Sequence, residues 1–274
     1  MPSPMLTLND GRQMPQFGFG VWQVPPDETA PAVETALKTG FRLIDTAAGY
    51  GNEAGVGHAL KAAGVPRSEI FLTTKLANAD QGYDEGLRAF DKSFRLLDTD
   101  YVDLYLIHWP APSKDRYLDS WKALIRLREE GRVRSIGVSN FLPAHFERLF
   151  AETDVVPVLN QIELHPRFQQ HTLREFHAKH GIVTQSWSPL GRGRLDDNPV
   201  INGIARKHGR TWAQIVLRWH IDSGLSVVTK SVTPSRIAEN FATLDFKLDD
   251  DDMRALAALD DAKGRVGGNP EVVA

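Results

Sequence analysis

No cysteine occurs among the 274 residues, which excludes disulfides, thiolate metal sites, iron–sulfur ligation and cysteine nucleophiles. A reducing compartment is permitted by that absence. No stretch approaches roughly 18 consecutive apolar residues, and residues 1–11 lack the basic segment and long apolar run of a secretory signal. Neither membrane insertion nor secretion is expected, and the cytoplasm is the expected location. An excess of one charge is missing too: 32 Lys and Arg stand against 35 Asp and Glu, a formal net charge of −3. Such a balance gives no broad electrostatic footprint for nucleic acid or an anionic membrane, so the expected partner is a small molecule. A monomer is the default assembly.

What remains is ordinary globular composition, 42% hydrophobic and 24% charged, sufficient for a large core. No linker, low-complexity segment or repeat divides the chain. One domain over 1–274 is the simplest organisation, because β/α barrels often run to about 250 residues as one unit. Leu6-Thr7-Leu8 followed by Asn9-Asp10-Gly11 reads as a strand entering a tight turn, since these turn residues tolerate positive φ. A short N-terminal hairpin is predicted there. Beyond it, short apolar runs rich in β-branched or aromatic residues alternate with stretches of helical periodicity. Strands are expected at 42–46, 70–76, 102–109, 135–140, 158–163, 182–188, 226–230 and 243–246. Helices at 28–38, 53–63, 83–97, 120–130, 144–151, 172–180, 211–221 and 234–242 fit between them, several closed by glycine. Segments 15–26 and 264–274 are rich in Gly and Pro, and the second reads as a loose tail. Repeating β-then-α units imply parallel strands covered on both faces. An open doubly wound sheet would carry a glycine-rich phosphate loop, but Gly55-Val56-Gly57-His58-Ala59-Leu60 lacks the third glycine and falls inside a helix. The expected fold is a (β/α)8 TIM barrel with the hairpin capping its bottom.

Polar residues that are costly to bury recur at the carboxyl ends of the expected strands: Asp45, Lys75, His108, Asn140, Gln161, Trp187-Ser188 and Lys230. In a β/α barrel these positions open onto one face. Any one of them alone is a strand-end cap, but the set in register points to a pocket. Asp45 and Lys75 lie on adjacent strands, where a carboxylate and an ammonium can pair at low dielectric. Tyr50 follows in the next loop. A phenol beside an ammonium should lose some of its pKa of about 10, because the cation stabilises phenolate, and this would make it an acid near neutrality. His108 could donate a hydrogen bond to a substrate oxygen in the same pocket, although a histidine after an apolar run is more often a core group.

These residues fall in recognisable stretches. Phe41-Arg42-Leu43-Ile44-Asp45-Thr46-Ala47 with Tyr50-Gly51-Asn52-Glu53, Asp103-Leu104-Tyr105-Leu106-Ile107-His108-Trp109-Pro110, 131–141 and Val228-Thr229-Lys230-Ser231 with Arg236-Ile237-Ala238-Glu239-Asn240 together resemble the motifs of the aldo-keto reductases. The likeness is strongest to bacterial members related to 2,5-diketo-gluconate reductases, and it covers nearly the whole chain. It implies NADPH-dependent reduction of aldehydes or ketones, with α-dicarbonyls or keto-sugars as possible substrates. It also implies a catalytic tetrad: Tyr50 as general acid, Lys75 lowering the Tyr50 pKa, Asp45 holding Lys75, and His108 orienting the carbonyl. By the same resemblance, Ser139, Asn140 and Gln161 would hold the nicotinamide carboxamide, Trp187 would stack on the ring, and Ser188, Pro189 and Leu190 would follow the pyrophosphate. Lys230, Ser231, Val232 and Arg236 would hold the 2′-phosphate, with Glu239 and Asn240 near adenine. Two cations there favour NADPH over NADH. Trp22 and Trp109 would line the substrate pocket, and Ala77, where an aromatic is common in the family, would widen its mouth.

Two other readings stay open at this point. One is a cofactor-binding regulatory subunit of the same fold, and the other is a barrel glycosidase with Asp45 and Glu163 as paired carboxylates. No metal is expected: His177 and His180 sit three apart on a helix that should present them to solvent, without a third ligand. Asp249 to Asp252 reads as an acidic helix start.

Overall fold

The computed structural model describes residues 2–273. Two short strands, β1 (Met5–Thr7) and β2 (Gln13–Pro15), pair antiparallel across the Asn9-Asp10-Gly11 turn as the sequence predicts. Eight parallel strands follow: β3 (Phe17–Gly20), β4 (Leu43–Asp45), β5 (Phe71–Leu76), β6 (Val102–Ile107), β7 (Val133–Ser139), β8 (Leu159–Glu163), β9 (Val183–Trp187) and β10 (Ser226–Thr229). β10 pairs with both β9 and β3, which closes the ring into a barrel. The covering helices are α1 (Pro26–Thr39), α2 (Glu53–Ala62), α3 (Tyr83–Leu97), α4 (Tyr117–Glu129), α5 (Pro143–Glu152), α6 (His171–Lys179), α7 (Pro199–His208), α8 (Trp212–Asp222), α9 (Pro234–Phe241) and α10 (Asp250–Ala257). None of the helices described is long and apolar enough to cross a membrane.

The barrel has its eight strands, but not the eight that the sequence predicts. Residues 243–246 do not form a strand, since 242–245 is a 3-10 turn that buries Thr243 and Leu244. The missing strand is β3, inside the Gly- and Pro-rich segment 15–26. Phe17-Gly18-Phe19-Gly20 alternates with period two. Its phenylalanines face the helices, where Phe17 and Phe19 pack on Phe41 at 5.0 and 5.7 Å between ring centroids. Its glycines face the barrel interior. A Cβ on Gly18 would lie 2.5 Å from Leu43 Cδ2, so the small residue is what lets β3 close the ring.

α7 also escapes the sequence reading, although its local signals are present. Asn198 accepts from the amides of Val200 and Ile201, and Pro199 occupies the first helical turn. The acidic helix start is borne out, with Asp249 capping α10 by accepting from the amide of Asp252.

Inside the barrel the two ends differ. Leu43, Phe71, Leu104, Leu106, Leu159 and Val228 form one apolar cluster with Leu8 and Met14 of the hairpin side. Asn9 donates to Pro157 O at the foot of β8, and Gln16 donates to Ile221 O and Leu225 O at the foot of β10. The hairpin thus seals the bottom, and the polar strand ends are left at the top. We expect Gly18→Ala to cost about 1–3 kcal/mol through overpacking against Leu43, measured as a lower urea midpoint at unchanged slope.

Candidate active site

Lys75 lies on β5 with no exposed side-chain surface. Its ammonium donates to Asp45 Oδ1 at 2.6 Å, to Thr46 O at 2.8 Å and to the Tyr50 hydroxyl at 3.4 Å. All three donors are therefore used, which is what a buried ammonium requires. Tyr50 reaches this point from a 3-10 turn, Ala48–Tyr50, ended by Gly51 at φ 69. Asn52 pins that turn, donating to Val21 O and Val24 O and accepting from the Thr46 hydroxyl.

The electrostatics correct one expectation. Burial pushes the Tyr50 hydroxyl above the ordinary phenol value; Lys75 pulls it down, Asp45 pushes it up, and burial wins. Tyr50 is thus a protonated phenol around neutrality, a donor held in reserve rather than a phenolate. Burial pulls Lys75 down, but Asp45 and Tyr50 outweigh it and keep the ammonium above its usual value. His108, just beyond β6, meets the Tyr50 ring edge-on at 5.5 Å. Burial, aided by the Lys75 charge, lowers its pKa to about 3. It is a neutral imidazole, able to donate one N–H without adding a second cation.

Above this floor lies a cavity of about 580 Å³. Asp45, Tyr50, His108, Trp22, Trp109, Ser139, Asn140, Gln161, Trp187, Ser188, Pro189, Leu190 and Lys230 all line it. Asn140, at φ 63, donates to His108 O and Ser139 Oγ and accepts from Trp187 Nε1. Lys75 sits behind the lining. Gly20, Gln23, Arg192, Val228 and Thr229 also line the cavity and were missed in sequence. The first two follow from the unrecognised β3. Arg192 lies over the Trp22 ring at 5.1 Å, a contact between loops far apart in the chain.

Ser231, Val232, Arg236, Glu239 and Asn240 are not among the lining residues. They stand on the turn after β10 and on α9. Glu239 accepts from the Thr211 hydroxyl at the start of α8, and Asn240 is buried with its amide 3.4 Å from the Thr229 hydroxyl. Lys230 and Arg236 are exposed, with no ion pair among the described residues. Ala77 does not line the cavity.

Two further expectations fail. His177 does not face solvent: it is buried, with one ring nitrogen 2.9 Å from the Asn160 amide and the other 2.9 Å from the Thr184 hydroxyl. Nor is the Gly- and Pro-rich tail loose. Glu163, buried at the end of β8, accepts from the amides of Val266 and Gly267 at 2.6 and 2.8 Å and contacts His165 Nε2 at 3.2 Å. The tail then packs so closely that a Cβ on Gly267 would lie 2.3 Å from the Trp187 ring, and one on Gly268 would lie 3.3 Å from Trp109. With both oxygens of Glu163 on the tail and both of Asp45 on buried donors, the paired-carboxylate reading loses its acid and base.

A phenol able to give up a proton beside a fixed cation suits an oxygen that gains charge during a reaction, and the family match gives the class, a barrel oxidoreductase acting on carbonyl groups. Residues 14–261 match the model of the Aldo/keto reductase family, and the chain belongs to that family. It is 53% identical over 269 residues to the methylglyoxal reductase DkgA of Salmonella typhimurium, covering 97% of each chain. It is 54% identical over 268 residues to an aldo-keto reductase of Mycolicibacterium smegmatis, covering 98% of this chain and 97% of the relative. A crystal structure of a Gox0644 mutant in complex with NADPH matches with a TM-score of 0.96 at 52% identity, covering all of both chains.

The buried histidines give a pH prediction. His108, His177 and His220 all have native pKa values lowered from 6.5 to about 3, chiefly by burial. In the unfolded chain they take up protons below pH 6.5 while the native rings do not, so they cost stability as pH falls from 6.5 toward 3. Their ring resonances should hold neutral shifts from pH 7.5 to 5 in an NMR titration. A midpoint near 6.5 for any of them would show that ring to be solvated.

Proposed function

We propose that this chain reduces aldehydes and ketones, small α-dicarbonyls or keto-sugars among them, to alcohols with NADPH as the reductant and Tyr50 as the general acid. The observation that carries the reading is the Lys75 ammonium, fully buried, paired with Asp45 and 3.4 Å from the Tyr50 hydroxyl. NADPH bound in the cavity would supply the hydride. The residues present fit it. Gln161 offers the cavity an amide oxygen to which no described group donates, and Lys230 in the cavity lining and Arg236 in the first turn of α9 are two exposed cations without an ion pair among the described residues, suited to a 2′-phosphate. Ser139, Asn140 and Trp187 would bound the nicotinamide, Ser188 to Leu190 the pyrophosphate, and Ser231, Val232, Glu239 and Asn240 the adenosine end.

Tyr50 and His108 would act on the substrate. Neutral His108 would donate to the carbonyl oxygen and turn it toward the Tyr50 hydroxyl. As that oxygen gains negative charge, Tyr50 would pass it a proton, and the phenolate left behind would be stabilised by Lys75. The cation therefore does more for the transition state than for the resting phenol, which is what accelerates the step. Trp22 and Trp109 would exclude water from the reacting carbon.

Tyr50→Phe should bind NADPH normally yet lose about 10²–10⁴-fold in turnover, read as loss of NADPH absorbance with a panel of aldehydes, α-dicarbonyls and keto-sugars. Near-native turnover would remove Tyr50 as the acid. Tight NADPH binding by the wild type without turnover on any member of the panel would instead favour a cofactor-binding regulatory subunit. Replacing Lys230 and Arg236 by alanine should weaken NADPH about tenfold or more, as expected for lost charge-assisted hydrogen bonds, and leave NADH nearly unaffected. Equal losses for both would rule out the phosphate assignment.

A further inference from the structure

One row of polar side chains inside the barrel runs from Gln161 at the cavity to Gln185 and Ser226, which have no part in the chemistry described above. Gln161 on β8, Gln185 on β9 and Ser226 on β10 are cross-strand register partners: Gln161 opposes Gln185, and Gln185 opposes Ser226. They are 3%, 0% and 0% exposed. Gln161 Nε2 donates to Asp45 Oδ2 at 2.8 Å and to Gln185 Oε1 at 2.6 Å, and Gln185 Nε2 donates to Ser226 Oγ at 2.9 Å.

This chain of bonds has only one polarity. Asp45 already accepts from the Lys75 ammonium, so its second oxygen can only accept, and the group facing it must be the NH2 end of Gln161. The other hydrogen of that NH2 requires an acceptor, which fixes Gln185 with its oxygen toward Gln161 and its own NH2 toward Ser226. Both hydrogens of Gln161 are thereby committed within the barrel wall. Its oxygen is turned to the cavity, and among the described residues nothing donates to it.

We propose that Gln185, supported by Ser226, is a positioning residue that locks the Gln161 amide with its oxygen toward the cavity, so that this oxygen selects a ligand carrying an N–H, as the nicotinamide carboxamide does. The inference rests on the proposed NADPH site. It makes cofactor recognition and the Lys75 ion pair share one carboxylate, since Asp45 holds the ammonium with one oxygen and the selecting amide with the other. Without Gln185, one hydrogen of Gln161 has no partner in the wall, and the amide can rotate to seek one in the cavity.

The test compares NADP+ with its 3-acetylpyridine analogue, in which a methyl replaces the carboxamide NH2 and the carbonyl is kept. Dissociation constants are read from quenching of intrinsic tryptophan fluorescence. Wild type should prefer NADP+ by about 5–10-fold, the worth of one hydrogen bond. Gln185→Met, which fills the space without an acceptor, should reduce that preference to about twofold or less. Gln185→Glu should restore it, because either protonation state of the new carboxyl offers Gln161 an acceptor and can still bond to Ser226. If Gln185→Met does not fold, Ser226→Ala is the second arm and should reduce the preference in the same direction. Equal weakening of both dinucleotides, or an unchanged preference, would show Gln185 to be packing alone and overturn the proposal. Equal wild-type affinity for the two would remove the Gln161 contact, and binding of neither would remove the NADPH reading itself.

Discussion

An ammonium without contact to solvent is the constraint around which the top of this barrel is arranged. Leaving such a charge unpaired would cost roughly 3–5 kcal/mol, so each donor of Lys75 must meet an acceptor, and all three acceptors come from the strand end and turn at 45–50. Asp45 arrives on the neighbouring strand, Thr46 supplies a carbonyl one residue later, and Tyr50 returns on a turn that Asn52 ties to the loop after β3. The register of β4 against β5 sets the distance between carboxylate and ammonium. A slip of one residue would turn one of them into the helix layer and leave the other charged and alone. Fold and chemistry are thus fixed by the same few contacts.

Much of this was legible in the sequence because the signals were local or periodic. The hairpin turn, seven of the barrel strands and the capped acidic helix each carry their evidence within a short window. Asp45, Lys75 and His108 stood out because polar groups at the ends of apolar strands are costly unless they face a pocket, and Tyr50 because it lies in the loop that follows Asp45. The failures have equally physical causes. Phe17-Gly18-Phe19-Gly20 has the period of a strand, but its glycines resemble a turn until Leu43 and Val228 are seen to occupy the space that side chains would need. Gln185 looks like any polar residue in a strand, and only the register with Gln161 and Ser226 shows that it faces inward.

The Tyr50 pKa illustrates a different limit. The adjacent strand ends expected from the sequence put a cation near the phenol, and the pairwise effect has the predicted sign. Burial opposes it and is larger, and burial depends on everything packed around the ring. The tail shows the same dependence on distant partners. Its composition is that of a flexible segment, yet two glycines are what permit it to lie flat against Trp187 and Trp109 while Glu163 accepts its backbone amides.

The hairpin and that tail lie at opposite poles of the barrel, one plugging the apolar floor and the other bracing the tryptophans at the mouth. The two poles therefore tolerate attachment unequally. A support or fusion partner joined through the hairpin side would leave the cavity facing outward with its rim undisturbed. The same load on the last residues would pull against the Glu163 contacts and reach the wall of the pocket through two aromatic rings.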